Sequence, residues 1–214
     1  MRVVQAEGSR GSLKWLQKAI EQGGAMLRPA ALPDIRWVSP LREDQFAEYR
    51  DAAFLEIVGQ GHLKDALTEF WPRGGPQWDA LGLAGDKPVL VEAKAHIDEF
   101  FSPASQASEG SLSRIATSLG AVANGLNARP GTDWSKVFFQ YANRIAHLDF
   151  LRRHGADAHL IFVSFIRDTD MNGPNTAAEW EIAFRTADYA LGLPRRHALS
   201  KYIHHVFPDV TQLI

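Results

Sequence analysis

The chain has 214 residues, of which 45% are hydrophobic, and its formal net charge is -2. This length and apolar content suffice for one sizeable core, so we expect a single domain over residues 1–214. The absence of cysteine excludes disulfides, thiolate catalysis and cysteine-bound zinc, and the small net charge argues against a protein that coats nucleic acid. Neither a secretory signal nor a membrane-spanning run is evident, and we therefore expect a cytoplasmic protein.

Two helices are predicted before the first clear strands. Ser12 can cap the first helix, which the Gly23-Gly24 pair ends, and a short apolar piece follows at residues 35–38. Ser39-Pro40 then provides an N-cap and a first helical position for the second helix, and Gly59 stops it. The apolar residues that recur at helical spacing along this helix are Phe46, Tyr49, Ala53 and Ile57. We interpret it as the first core helix.

A β-hairpin is predicted after an ambiguous segment. Residues 62–71 are compatible with either a helix or a strand, and the Pro-Arg-Gly-Gly-Pro sequence of residues 72–76 is a break. Residues 77–83 and 88–96 then predict two strands, and Gly85-Asp86 is suited to the two-residue turn between them.

Helices and strands alternate beyond the hairpin. A Ser-rich loop at residues 102–111 leads into a helix to about Asn127, and a further helix is predicted from Trp134 to about His154. The apolar run of residues 159–166 is typical of a strand that is covered on both faces. The last predicted elements are a helix from the capping-box pattern at Thr176-Glu179 to Leu191 and a strand over residues 202–207. This order predicts an α/β protein.

Three charged side chains interrupt the hairpin. Side chains two residues apart in a strand share a face, so Glu92 and Lys94 lie together, opposite the core-facing residues of the same strand. If the two-residue turn is correct, Ala84 pairs with Lys87, and Asp79 lies directly opposite Glu92. Two opposed carboxylates in a partly buried setting are destabilising unless another group neutralises them.

A divalent cation would neutralise these acids. A few carboxylates, with water and phosphate in the remaining positions, are typical of a Mg²⁺ site, at which Mn²⁺ can substitute. Lys94 could then hold the attacking water and stabilise charge that develops on phosphorus. The pattern therefore suits metal-assisted phosphodiester hydrolysis, although an exposed strand with a Glu-Lys pair is a common alternative.

The Asp79 and Glu92-Ala93-Lys94 pattern resembles the PD-(D/E)xK nuclease superfamily. The resemblance implies a restriction-endonuclease-like α/β core of αβββαβ order, in which helices flank a central mixed sheet. The core would span about residues 41–166, with an N-terminal helix and a C-terminal helix and strand as additions. It also implies that Asp79 and Glu92 bind Mg²⁺, that Lys94 is catalytic and that the substrate is nucleic acid, expected to be DNA. Trp78 is a departure, because proline precedes the aspartate in the motif.

Many members of the superfamily add a glutamate from the first core helix to the metal site. On a helical wheel Glu56 lies beside the apolar stripe, whereas Glu48 lies nearly opposite its centre. We therefore favour Glu56 as the additional ligand and keep Glu48 as the alternative. An ordinary solvated helix acid is an equally simple interpretation.

Further residues are candidates for substrate binding. The helix from Trp134 carries Gln140 and Arg144 on one polar side, which either contacts phosphates, orients the carboxylates or is an ordinary solvent face. In an exonuclease-like branch of the superfamily a tyrosine follows the glutamine by four residues, but here that position is Arg144. Arg73 precedes the Asp79 strand, and His96 shares the predicted face of Lys94.

Two other functions compete with the nuclease. One is a catalytically silent module that keeps the nuclease fold and binds nucleic acid or protein. The other is a glycosidase with paired carboxylates, which would leave Lys94 unexplained. No separate nucleic-acid recognition module is evident, so specificity would come from the core, from a partner or from a homodimer, and a membrane partner is not expected.

Overall fold

The computed structural model describes residues 1–213 and contains seven strands and seven α-helices within that range. The amino-terminal elements are β1 (Arg2–Val3), α1 (Gly11–Glu21), β2 (Ile35–Ser39), β3 (Glu48–Tyr49), α2 (Ala52–Ile57) and α3 (Lys64–Phe70). The following elements are β4 (Ala80–Ala84), β5 (Lys87–Lys94), α4 (Ile97–Phe100), α5 (Glu109–Gly125), α6 (Phe139–Arg153), β6 (His159–Ser164), α7 (Ala177–Ala190) and β7 (Ile203–Val206).

Five of the strands form one mixed sheet in the order β2-β4-β5-β6-β7. The strands β2, β4 and β5 are antiparallel neighbours, whereas β5, β6 and β7 run parallel. Parallel pairing requires long crossovers, which the helices α5, α6 and α7 provide. The α/β expectation is therefore confirmed, with β1 and β3 forming a separate two-stranded ribbon.

The hairpin has the predicted turn and most of the predicted register. Pairing runs from Ala84 with Lys87 to Ala80 with Val91, and Gly85 has the positive φ of 68° that the first turn position favours. The ladder ends there, so the expected pairing of Asp79 with Glu92 does not form.

The two faces of the central strand β5 contact separate hydrophobic clusters. Val91 and Ala93 pack in the cluster that contains residues of α1, and Leu90 packs in the cluster that contains residues of α6. The sheet is thus covered on both faces, with α1 on one side and α6 on the other. Glu92 and Lys94 lie on the α6 face because they share the alternation of Leu90.

The predicted first core helix is wrong over most of its length. Only Ala52–Ile57 is α-helical, and Glu48–Tyr49 forms the short strand β3. Gln45, Phe46 and Asp51 have positive φ values of 55°, 49° and 53°, and a left-handed residue interrupts a right-handed helix.

Other boundaries also differ from the expectations. The antiparallel meander begins with β2 at Ile35, ahead of the expected core boundary at residue 41, and the ambiguous segment 62–71 contains the helix α3. The helix α6 begins at Phe139 and not at Trp134, because Phe138 has a positive φ of 62°. Across residues 1–213, no helix combines the length and apolar character needed to cross a membrane.

Candidate functional site

The three charged residues predicted in the hairpin lie at neighbouring positions of the sheet. Asp79 immediately precedes β4, and Glu92 and Lys94 lie at the carboxyl end of β5. The parallel pairing of β5 with β6 places Lys94 beside Ser164. Since α6 covers this face of the sheet, its side chains complete the site.

Glu92 is the most enclosed charge of the site, with only 3% of its surface exposed. Its Oε1 accepts a hydrogen bond from Lys94 Nζ at 2.6 Å, and its Oε2 accepts one from Arg144 Nε at 2.5 Å. Burial alone would raise the pKa of Glu92, but the charges of Arg144 and Lys94 outweigh burial and lower it. Glu92 is therefore an ionised carboxylate with two internal counter-ions.

Arg144 is held through all three of its guanidinium nitrogens. Besides the bond to Glu92, its Nη1 donates to Asn143 Oδ1 and its Nη2 donates to the Gln77 carbonyl, both at 2.9 Å. The guanidinium carbon lies 5.0 Å from the ring centroid of Trp78, within the range of a cation–π contact. Trp78 thus helps to position Arg144.

Lys94 is fixed between two acceptors. Its Nζ donates to Glu92 and, at 3.2 Å, to Gln140 Oε1 from α6. Burial lowers the pKa of Lys94, but the charges of Glu92 and Asp79 outweigh that effect and raise it. The side chain is therefore an ammonium group that donates hydrogen bonds.

Asp79 is an acid whose ionised form is disfavoured by its surroundings. Its Oδ2 accepts a hydrogen bond from the backbone N–H of Ala93 at 2.7 Å, which ties the acid to β5 although the ladder has ended. The pKa of Asp79 lies well above its usual value because the group is buried and because Glu92 is negatively charged nearby.

Glu48, and not Glu56, is the glutamate that joins this cluster. Glu48 is 5% exposed and accepts hydrogen bonds from Gln5 Nε2 at 3.0 Å and Gln77 Nε2 at 2.5 Å. Burial raises its pKa, and the charge of Glu92 adds to the effect. Glu56 is exposed on α2. The preference for Glu56 assumed one helix through both residues, and that assumption is wrong because Glu48 lies in β3.

The other predicted side chains divide into two groups. Gln140 and Arg144 face the site, so the solvent-face interpretation of this side of α6 is wrong. Arg73 is exposed on the loop before β4, and His96 contacts Glu99 at 3.3 Å. Neither of these two is among the hydrogen-bond partners that the described residues give to Asp79, Glu92 or Lys94.

Ser164 is a residue of the site that the sequence did not reveal. Its Oγ is buried and has no hydrogen-bond partner within residues 1–213. With Glu92, Lys94 and Gln140 it lines a cavity of about 10 Å³, which is roughly the space of one water molecule. The apolar run around it predicted only a strand, and the signal that could have identified it is its register opposite Lys94.

The donor atoms of the site suit a hard cation. Asp79, Glu92 and Glu48 provide carboxyl oxygens, and burial with the nearby charge of Glu92 disfavours the ionised forms of Asp79 and Glu48, which a divalent cation would favour. In the part of the chain that the structure describes, no three His, Asp or Glu side chains are grouped closely enough to hold a metal ion by themselves. Asp79 and Glu48 thus have oxygen donors of the kind that a hard cation takes, whereas both oxygens of Glu92 are already bound by Lys94 and Arg144.

No family model, curated protein or solved structure matches the chain. The described residues define an α/β protein with a mixed five-stranded sheet and a buried cluster of acids and bases at the end of its central strand.

Proposed function

We propose that this protein is a magnesium-dependent nuclease of the PD-(D/E)xK type that hydrolyses phosphodiester bonds in nucleic acid, with DNA as the expected substrate. The observation that carries the proposal is the convergence of Asp79, Glu92 and Lys94, with Lys94 Nζ 2.6 Å from Glu92 Oε1 and the Asp79 carboxylate bound to the N–H between them. A surface strand with a Glu-Lys pair would not bury Glu92 to this extent.

The order of the elements supports a restriction-endonuclease-like core. The helix α1 precedes the antiparallel meander β2-β4-β5, and the helices α5 and α6 lead to β6. This is the helix, three-stranded meander, helix and strand order of the superfamily. The elements β3, α2 and α3 lie between the first two strands of the meander as an insertion.

Each side chain of the site has a distinct role in this proposal. Asp79 and Glu92, with Glu48 close by, would hold Mg²⁺ or Mn²⁺, and the bound cation would polarise the phosphoryl group and neutralise developing charge. Lys94 donates a hydrogen bond to the attacking water and stabilises negative charge at phosphorus.

The helix α6 positions these groups. Gln140 fixes the direction of the Lys94 ammonium, and Arg144 fixes the Glu92 carboxylate. Since every nitrogen of Arg144 has a partner inside the protein, the geometry favours a positioning role for it over a phosphate contact. Exposed Arg73 is the better candidate for contact with phosphate.

One observation favours a second function, a catalytically silent module that binds nucleic acid or protein. Both oxygens of Glu92 are already bound by Lys94 and Arg144, so the fold neutralises this acid without a metal ion. A protein that had lost catalysis could retain such a buried cluster for its structural role.

Cleavage assays separate the two functions. The protein, Lys94→Ala and Asp79→Ala are incubated with linear, circular, single-stranded and branched DNA in Mg²⁺ or Mn²⁺, and Asp86→Ala in the exposed hairpin turn is the control. Metal-dependent cleavage that both site variants lose and the control keeps supports the nuclease. Binding of DNA or protein without cleavage of any substrate supports the silent module.

A further inference from the structure

A cavity of about 240 Å³ lies behind the candidate site. Residues of α3, α6 and the loop before β4 line it, among them Asp51, Leu67, Trp71, Arg73, Gly75 and His147. Trp78 connects the cavity to the site, since its ring centroid is 6.3 Å from that of His147 and 5.0 Å from the guanidinium carbon of Arg144. The cavity is therefore about one side chain away from the Glu92–Arg144 pair.

His147 presents a hydrogen-bond acceptor to this cavity. The residue is 1% exposed, and its Nδ1 lies 2.8 Å from the carbonyl oxygen of Asn143, so Nδ1 carries the proton and donates. Burial lowers the pKa of His147 to about 3, which keeps the ring neutral and leaves Nε2 with a free lone pair. Nε2 is directed towards Gly75, at 3.6 Å from the position that a Cβ would take there.

The remaining walls are flat and apolar inside and polar at the mouth. Trp71 forms an inner wall, with its ring centroid 4.8 Å from that of His147, and exposed Arg73 lies at the edge. Trp71 and Arg73 also border a second cavity of about 340 Å³, which is lined by Ser105, Ser108 and Ser111. An apolar slot with one buried acceptor, next to a cation and a row of hydroxyl groups, suits a planar heterocycle attached to a phosphate.

We propose that this cavity binds one unpaired nucleobase. An amino or imino group of the base donates to His147 Nε2, the ring lies against Trp71, and Arg73 contacts the adjoining phosphate. The base comes either from a nucleic-acid strand that crosses the candidate site or from a free nucleotide. The strand as its source rests on the proposed function, whereas the base-binding cavity itself does not.

Gly75 allows the cavity to be filled without strain elsewhere. A Cβ at this position would lie 3.4 Å from Trp71 Cδ1 and 3.4 Å from Asp51 Oδ1, which is ordinary contact, and Gly75 does not have positive φ. Gly75→Leu therefore places its side chain in the slot. Gly110→Leu is the matched control, because Gly110 is exposed on α5 and a Cβ there meets nothing within 4 Å.

Binding to single-stranded DNA in EDTA tests the proposal without any cleavage. Fluorescence anisotropy compares a short labelled strand with an equally charged strand whose positions are all abasic. Stacking of a base on aromatic side chains predicts that the protein and Gly110→Leu bind the normal strand roughly 5- to 150-fold more tightly than the abasic strand. Gly75→Leu should lose most of this preference, and His147→Phe, which keeps a ring but lacks the acceptor, should lose part of it.

The outcomes identify the ligand and separate the two proposals. Competition by a nucleoside monophosphate at concentrations close to the affinity of the strand would make the free nucleotide the source of the base. Equal affinity for the normal and abasic strands together with no competition by the nucleoside monophosphate, or an unchanged preference in Gly75→Leu, would overturn the base-binding cavity. Because no metal is present, the result is independent of whether the protein cleaves DNA.

Discussion

Arg144 Nε lies 2.5 Å from Glu92 Oε2, and both residues are less than a tenth exposed. The pair joins α6 to the central strand of the sheet. Its strength depends on mutual compensation, because a buried charge that loses its partner is strongly destabilising. This dependence gives the first prediction.

Arg144→Met should lower the free energy of unfolding by about 3–5 kcal/mol, because it leaves the Glu92 carboxylate with only Lys94 as a counter-ion. Urea denaturation measures the loss. The control is Arg42→Met, which removes the exposed ion pairs with Glu7 and Glu21 and should cost less than about 1 kcal/mol. The double variant Arg144→Met with Glu92→Leu should recover much of the loss. Equal losses of stability in Arg144→Met and Arg42→Met would contradict the assignment of Arg144 as an essential counter-ion.

Asp79→Asn should leave the metal-free protein no less stable at neutral pH. The folded protein disfavours the Asp79 charge through burial and through Glu92, and an asparagine oxygen can still accept the hydrogen bond of Ala93 N–H. In the parent protein, Mn²⁺ at about tenfold its dissociation constant should stabilise by about 1.4 kcal/mol. Thermal unfolding with and without Mn²⁺ checks both effects. Stabilisation of Asp79→Asn by Mn²⁺ to the same extent as the parent protein would exclude Asp79 as a ligand.

The stability of the protein should decrease with acid through His147. Its folded pKa of about 3 lies below the value of about 6.5 for an unfolded histidine, so only the unfolded chain takes up a proton as the pH falls through 6.5. Between about pH 7.5 and about pH 5.5 this uptake removes about 1.4 kcal/mol of stability. His147→Phe should reduce the pH dependence by that amount, as measured by urea denaturation at the two pH values. An unchanged pH dependence would show that His147 is not held neutral.

Gly173→Ala should destabilise the end of β5. A Cβ at Gly173 would lie 2.1 Å from the carbonyl oxygen of Ala95, the residue after Lys94, so the backbone would have to move. We expect a loss of about 1–3 kcal/mol in the free energy of unfolding, as for other overpacked sites. Gly120→Ala in α5, where a Cβ meets nothing within 4 Å, should not destabilise the protein. Similar unfolding midpoints for the two variants would contradict the close contact.

The local signals of the hairpin were sufficient for its prediction. The Gly85-Asp86 turn and the alternation along 87–94 defined both the register and the face of Glu92 and Lys94, because turn and pleat are properties of the chain itself. The last expected pair, Asp79 with Glu92, failed for a tertiary reason. Trp78 bridges to Tyr49 of the ribbon, and Asp79 bends so that its side chain replaces the ladder bond.

Two other features depend on contacts that no local pattern contains. The helical spacing of Phe46 and Tyr49 was coincidental, because the backbone of Gln45, Phe46 and Asp51 is left-handed. The polar side of α6 resembled a solvent face because its counterpart, Glu92, lies 52 residues before Arg144 in the chain. Glu48 is buried in a segment that is not helical, so a helical wheel could not predict its burial.

The separation of Glu92 from Arg144 also bears on how the protein folds. The hairpin that carries Asp79, Glu92 and Lys94 closes over a two-residue turn, whereas Arg144 reaches it only after α5 and α6 have crossed to the same face. Closing a short loop is faster than a long-range pairing, so the acids are expected to meet first and to remain hydrated until α6 docks. We therefore expect the docking of α6, which brings the Arg144 guanidinium to Glu92, to be a late step in the formation of the native state.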